Sequence, residues 1–192
     1  IINGKYVDAS ATAGLQKKNS YTQQTKQLGT ETYGSTTLAT ALGTGTGSWG
    51  DIFWVKTWDG SFEGTLTAEM YQVQSSDEDT TRMISKKVVG GQVDGTKTSY
   101  IEQVKATLAF GDAPDGKIWG DGFTVKTYDK DFSVTLYDPE TGTGAVPSTS
   151  RVLVSEADQL QTTDESVTRM KTTKIINGKY VDASATAGLQ KK

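Results

Sequence analysis

The sequence predicts a mostly β protein built from antiparallel, Ig-like β-sandwich units, and three observations predict this class. The 192 residues include 21 Gly and 3 Pro, a ratio typical of chains with many tight turns. Residues 60–74 alternate apolar and polar side chains, which is the pattern of a half-buried strand. Other apolar stretches are separated by turn pairs such as Asp59-Gly60 and Asp115-Gly116.

The individual elements follow from the same signals. Strands are predicted at residues 52–58, 60–74, 100–110, 123–128, 132–137 and 151–154. A helix is predicted at 75–87, because Ser75 or Ser76 can cap it, acidic residues follow at once, and two lysines lie in the last turn. A counterpart helix is predicted near 162–174. Residues 18–49, rich in Thr, Gln and Gly, predict a long loop or an extended arm that becomes ordered against a neighbour.

The two ends of the sequence are identical. Residues 1–18 recur without a difference as residues 175–192. Chance does not produce such a match, so two interpretations stay open. Either the chain is cut from a tandem array whose next unit begins at residue 175, or a copy of the N-terminal segment was appended at the C-terminus.

A fainter repeat divides the rest of the chain into two diverged units, 1–87 and 88–174, each with one short helix. Four blocks recur in the same order: 1–8, 88–94 and 175–182; 20–26 and 99–105; 49–62 and 119–132; 77–83 and 164–170. The alternative is that β-rich sequences share Gly, Thr and Asp by composition alone. We interpret the ordered blocks as two related β units, followed by residues 175–192 as the start of the next repeat or as a donor strand.

Several function classes are excluded or disfavoured by composition. The chain contains no His and no Cys, which excludes serine triads, cysteine–histidine pairs, zincins, haem sites and a disulfide framework. Nothing in the sequence selects a pair of catalytic carboxylates, so we predict a protein that is not an enzyme and has no catalytic residues. The net charge of −3 disfavours contact with nucleic acid, and no apolar run is long enough to span a membrane.

Acidic turns are the candidate metal ligands. Hard cations such as calcium take oxygen ligands from acidic loops, and Asp112, Asp115 and Asp121 are the candidates for such a site. The spacing matches no EF-hand, because Pro114 and Gly116 occupy positions that should supply ligands. Solvated turn residues are therefore the favoured interpretation, and we predict no cofactor, with calcium as the alternative.

An apolar patch is predicted on the first unit. Phe53 and Val55 recur as Phe123 and Val125, so this shared face is expected to be core. Residues that differ between the units should face outward. We predict an outward patch of Ile52, Trp54 and Trp58 that a partner subunit buries or that, as the alternative, stacks on a sugar ring.

The end repeat predicts strand donation. A segment at both ends of a β unit can leave one unit and complete the open sheet edge of the next. The expected assembly strand comprises Ile1, Ile2, Tyr6 and Val7 in the first copy and Ile175, Ile176, Tyr180 and Val181 in the second.

One block carries a resemblance to a known family. The block contains Trp49, Phe53, Trp58, Gly60, Ser61, Phe62, Glu63 and Gly64. Its pattern resembles the centre of the small major tail tube proteins of long-tailed phages, in which a similar strand is followed by an acidic-start helix and further strands. The resemblance implies a β-sandwich that assembles into rings and tubes, with a structural role. The end repeat also resembles donor-strand-linked filament subunits and tandem-repeat surface fibres.

These observations predict a non-enzymatic structural protein whose partners are copies of itself. It is expected to assemble head-to-tail into an extracellular surface filament or a virion tube by donating or sharing a strand. One alternative is a phage-tail-like subunit that forms stacked rings. The other is a carbohydrate-binding or adhesin module that contacts a glycan or a cell surface.

Overall fold

The computed structural model describes residues 19–45 and 48–181, and this part of the chain is mostly antiparallel β structure, as predicted. The strands are β1 (Ser20–Gln27), β2 (Thr32–Tyr33), β3 (Thr36–Thr37), β4 (Ile52–Asp59), β5 (Thr65–Gln74), β6 (Thr80–Val89), β7 (Gln92–Ala106), β8 (Trp119–Tyr128), β9 (Leu153–Thr162), β10 (Thr168–Thr173), β11 (Ile175–Ile176) and β12 (Lys179–Tyr180). The helical elements are α1 (Leu38–Ala41) and a 3-10 turn at Pro114–Gly116.

The eight long strands form one sheet whose order follows the chain. The order is β1-β4-β5-β6-β7-β8-β9-β10, and every neighbouring pair is antiparallel. The other described strands form two short ribbons, β2–β3 and β11–β12. The prediction of Ig-like units, each with two packed sheets, is not confirmed, because the long strands lie in a single sheet.

The main core lies where the segment between β1 and β4 covers one face of the sheet. Thr37 caps α1 by accepting a hydrogen bond from the Thr40 N–H at 3.3 Å. The helix and the residue after it bury Leu38, Ala41 and Leu42 against Ile52, Val73 and Ile84. The prediction that 18–49 is a long loop or an extended arm is therefore wrong for its described part. These residues form an edge strand, a ribbon and a helix that closes the core of their own chain.

The helix predicted at 75–87 is also wrong, because its acidic start forms a tight turn instead. The Asp77 carboxylate accepts hydrogen bonds from the Ser75 hydroxyl and, at 3.1 Å, from the Asp79 N–H. Glu78 then adopts a left-handed conformation with φ 64°, which reverses the chain. Strand β6 follows directly and pairs with both β5 and β7.

The helix predicted near 162–174 fails for the same reason. The Asp164 carboxylate accepts from the Thr162 hydroxyl at 2.6 Å and from the Ser166 N–H at 3.2 Å, and Glu165 has φ 58°. The Lys117 ammonium contacts Asp164 at 2.8 Å and, with the hydrogen bonds from Ser166 and Thr162, lowers the pKa of this carboxyl. Strand β10 follows this turn as β6 follows the first.

Candidate assembly surface

The sheet ends in two strands that are each paired on one side only within the described residues. Strand β1 pairs with β4, and strand β10 pairs with β9. An edge strand presents a row of backbone N–H and C=O groups that can pair with another chain. Six of the eight residues of β1 are exposed, and Met170 in β10 has 64% of its surface exposed. Among the residues that the structure describes, no further strand covers either edge.

The hairpin of β11 and β12 follows β10 in the chain and contacts β9. Ile175 pairs with Tyr180, and Ile176 pairs with Lys179. The turn residues Asn177 and Gly178 have φ values of 50° and 75°. Two successive left-handed residues are typical of the type I′ turn, for which Asn-Gly is the preferred pair. The local sequence thus determines this hairpin.

The hairpin packs against one surface of the same chain. Tyr180 donates its hydroxyl proton to Glu156 Oε2 at 2.6 Å and its backbone N–H to the Pro139 carbonyl at 3.3 Å. Lys179 donates to the Gly144 carbonyl at 3.1 Å. The surface that receives the hairpin comprises Tyr137, Pro139, Gly144, Val152 and Glu156, and we call it the hairpin site.

The turn of the hairpin must stay narrow to reach this site. A Cβ atom on Gly178 would lie 2.9 Å from Val152 Cβ, closer than side-chain carbons approach. The positive φ of Gly178 adds a second requirement for glycine at this position. A short hairpin with an Asn-Gly turn therefore fits the site, and a larger turn residue does not.

Glu156 connects the hairpin to the sheet. Its carboxylate contacts the Lys126 ammonium at 3.4 Å and accepts the Tyr180 hydroxyl. Burial raises the pKa of Tyr180 above its ordinary value, and the hydrogen bond to Glu156 raises the pKa further. The protonated tyrosine is therefore the form that is stable in the folded protein.

Tyr180→Phe is expected to weaken the docking of the hairpin. Removing the hydroxyl that donates to Glu156 should lower the free energy of unfolding by about 1–2 kcal/mol at neutral pH. Because the folded pKa is raised, the contribution of the hydroxyl is present below about pH 10 and is lost as the pH rises above it. Urea unfolding at pH 7 and pH 11 tests this prediction. The free energies of unfolding of wild type and variant should lie closer together at pH 11 than at pH 7. A difference that widens with pH contradicts the assignment.

The structure brings together the second half of the predicted assembly strand. Ile175, Ile176 and Tyr180 lie in the hairpin, and Val181 follows it with its N–H donating to the Lys174 carbonyl at 3.1 Å. The first half of the prediction, Ile1, Ile2, Tyr6 and Val7, lies outside the described residues. The role of both halves in assembly stays a prediction.

The predicted outward patch is wrong for Ile52. This side chain has 7% of its surface exposed and packs in the core beneath α1. Trp54 is half-buried, with its ring stacked at 5.9 Å on Tyr71 and with the Lys56 ammonium 3.7 Å from its ring centre. Trp58 is half-buried and lies edge-on to Phe62 at 6.3 Å. The chain therefore covers much of this patch with its own residues.

The predicted metal ligands have other contacts. Asp121 forms an ion pair with Lys105 at 3.1 Å, the Asp112 carbonyl accepts from Arg169, and Asp115 lies in the 3-10 turn with φ 55°. Within 19–45 and 48–181, no group of three or more acidic side chains is placed to share a metal ion. No helix in the same ranges is long and apolar enough to cross a membrane.

Sequence reasoning missed two arginines that connect neighbouring parts of the sheet. The Arg82 guanidinium lies 4.9 Å from the ring centre of Trp49, and that of Arg169 lies 5.1 Å from Trp119. The signal was present, because the Thr-Arg-Met and Trp-Gly-Asp blocks both recur in the two predicted units. The helices predicted at 75–87 and near 162–174 concealed this signal, because they placed Arg82 and Arg169 in helices, whereas both lie in strands.

The chain matches no family model, no curated protein and no solved structure.

Proposed function

We propose that this protein is a non-enzymatic structural subunit that assembles head-to-tail with copies of itself into an extracellular filament or tube. One observation carries the proposal. The segment that docks at the hairpin site, residues 175–181, has the same sequence as residues 1–7. The N-terminal segment of one chain can therefore make the same contacts on another chain that residues 175–181 make on their own.

Each contact of the docked hairpin has an equivalent in the N-terminal copy. Tyr6 carries the hydroxyl that would donate to Glu156, and Gly4 would stand where Val152 leaves room only for glycine. Lys5 provides the ammonium that would donate to the Gly144 carbonyl. The hairpin site would thus bind either copy with the same chemistry, and the choice depends on which copy is available.

The rest of the chain supports a structural role. Open edges on both sides of the sheet are suited to adding strands from other subunits. The absence of His and Cys from the sequence removes the residues that most often carry out acid–base and nucleophilic chemistry. An extracellular or virion setting follows from the proposed role.

A chain that ends at residue 174 tests the proposal. This chain lacks the C-terminal copy that occupies the hairpin site, so we expect N-terminal segments of neighbouring chains to fill it. We expect this shortened chain to form larger assemblies as its concentration rises, as measured by sedimentation velocity and electron microscopy. Thin head-to-tail filaments are expected from simple donation, whereas rings with a lumen would indicate a tube.

A synthetic peptide of residues 175–192 provides the control. It should bind the shortened chain, block donation by neighbours and reduce the assemblies to single chains. A peptide with Gly178→Val should fail to do so, because the new side chain meets Val152 and the turn requires a left-handed residue. An unchanged melting temperature and an unchanged sedimentation profile after removal of residues 175–192 would contradict donation.

A further inference from the structure

We propose that strand β10 pairs with strand β1 of the following copy, in the register that β6 and β7 have within one chain. The sheet would then continue from copy to copy without a break. This inference rests on the proposed function, and it adds which edges meet and which residues lie opposite each other.

The two halves of the sheet have matching registers. Strands β4 and β5 place Phe53 opposite Gln72, and strands β8 and β9 place Phe123 opposite Gln159. Both strand pairs contain a register shift at the same point, after Thr57 in the first and after Thr127 in the second. A shared irregularity at one position is stronger evidence of equivalence than regular pairing, because bulges are specific features of a fold.

The outer strands β6 and β10 match in the same way. Gln72 lies opposite Met83 in β6, and Gln159 lies opposite Met170 in β10. The turns that precede these outer strands both contain a glutamate with positive φ. Strand β10 therefore occupies the position in the second half that β6 occupies in the first.

Strands β1 and β7 also correspond to each other. Strand β1 places Tyr21 opposite Trp58 in β4, and strand β7 places Tyr100 opposite Tyr128 in β8. These residues belong to the blocks that recur along the sequence. Strand β1 is thus the equivalent of the part of β7 around Tyr100. Within the described residues, the two strands differ in that β7 also pairs with β6, whereas β1 pairs with β4 alone.

A hairpin of the same kind follows β6 and β10. Between β6 and β7, Val88 pairs with Val93 around Gly90 and Gly91, whose φ values are 59° and 82°. After β10, Ile175 pairs with Tyr180 around a turn of the same kind. In the first case the hairpin returns the chain along the outer edge of β6. The second hairpin is placed to return the chain along the outer edge of β10, because the Val181 N–H donates to the Lys174 carbonyl directly after that strand.

The end repeat identifies the strand that should follow the second hairpin. In the N-terminal copy of this segment, residues 1–18 lead through Asn19 into β1. A continued chain, or the neighbouring copy in an assembly, would therefore place β1 on the open edge of β10. Exposed Met170 lies on that edge, where a paired strand would cover it.

The register between copies is obtained by applying the pairing of β6 with β7 to β10 of one copy and β1 of the next. Within the chain, Met83 lies opposite Ile101, and Ile84 lies opposite Tyr100. The equivalent pairs between copies are Met170 with Thr22 and Lys171 with Tyr21.

Disulfide trapping in the chain that ends at residue 174, whose hairpin site is left for the N-terminal segment of a neighbouring chain, tests this register. The chain has no native cysteine, so each introduced thiol is unique. Chains with Met170→Cys are mixed with chains with Thr22→Cys and oxidised, and the disulfide-linked dimer is measured on a non-reducing gel. Lys171→Cys with Tyr21→Cys is tested in parallel, because hydrogen-bonded and non-hydrogen-bonded pairs alternate along an antiparallel ladder. Met170→Cys with Lys26→Cys is the off-register control.

We expect at least one in-register pair to form several-fold more dimer than the control pair. Equal or greater yield from the control overturns the register. A longer chain, in which residue 192 is followed by residues 19–192 of a second copy, separates this inference from the proposed function. A disulfide between residue 170 of its first copy and residue 22 of its second supports the register even if separate chains do not assemble. Absence of the disulfide in both formats overturns the inference, whereas assembly without it leaves the proposed function standing.

Discussion

Leu42→Ala is expected to lower the free energy of unfolding by about 2–5 kcal/mol. Leu42 has 0% of its surface exposed and follows α1, where it packs in the core with Ile52, Val73 and Ile84. Truncation removes buried apolar surface and leaves a cavity that strand-borne neighbours cannot easily fill. The segment that carries Leu42 is short, so the loss also weakens the contact that holds α1 on the sheet.

Urea unfolding followed by tryptophan fluorescence measures this effect. Leu28→Ala is the matched control, because it is the same substitution at a side chain with 68% of its surface exposed. The control should change the free energy of unfolding by no more than about 0.5 kcal/mol. Equal losses for the two variants would show that residues 38–42 do not form the core.

Arg82→Ala is expected to lower the free energy of unfolding by about 3–5 kcal/mol. Arg82 donates to Glu102 at 2.7 Å and to the carbonyls of Gly43 at 2.7 Å and Leu42 at 3.3 Å. Glu102 has only 19% of its side chain exposed, so the substitution leaves a largely buried carboxylate without this partner. The guanidinium also contacts the rings of Trp49 and Phe132, and those contacts are lost as well.

Arg169→Ala is the matched control for this prediction. Arg169 occupies the equivalent position on β10, where it contacts Trp119 and donates to the carbonyls of Phe110 and Asp112. In the described part of the chain it contacts no carboxylate, so we expect a smaller loss of about 1–2 kcal/mol. The comparison is made by urea unfolding at neutral pH. A loss for Arg169→Ala as large as that for Arg82→Ala would mean that the buried ion pair is not the source of the effect.

Local signals located β4, β5, β7 and β8, whereas the strand predicted at 132–137 is wrong, because these residues form turns with a single bridge at Leu136. The stretch 52–58 lies within β4, and 123–128 lies within β8, because alternation and turn residues are local signals. Residues 18–49 were misinterpreted, because their many threonines and glycines conceal the few side chains that enter the core. Leu38 and Leu42 are buried only because β4, β5 and β6 provide a surface for them.

The candidate assembly surface was predicted in part. The end repeat grouped Ile175, Ile176 and Tyr180 in one segment, and the Asn-Gly turn between them is readable from sequence. Its docking partners were not readable, because Tyr137, Val152 and Glu156 lie far from it along the chain. Strand β10 was missed because an acidic residue after Ser or Thr starts both helices and tight turns.

The amino-acid sequence alone determined the β class, the recurring blocks and the identity of the two ends, because composition, alternation and repetition are properties of local sequence. Only the tertiary structure decided which strands end the sheet, which face α1 covers and where the hairpin docks. The left-handed residues Glu78 and Glu165 turn the chain into β6 and β10, and pairing with neighbouring strands then stabilises those strands over helices. That pairing is a long-range contact, and its free energy depends on strands that local sequence cannot place.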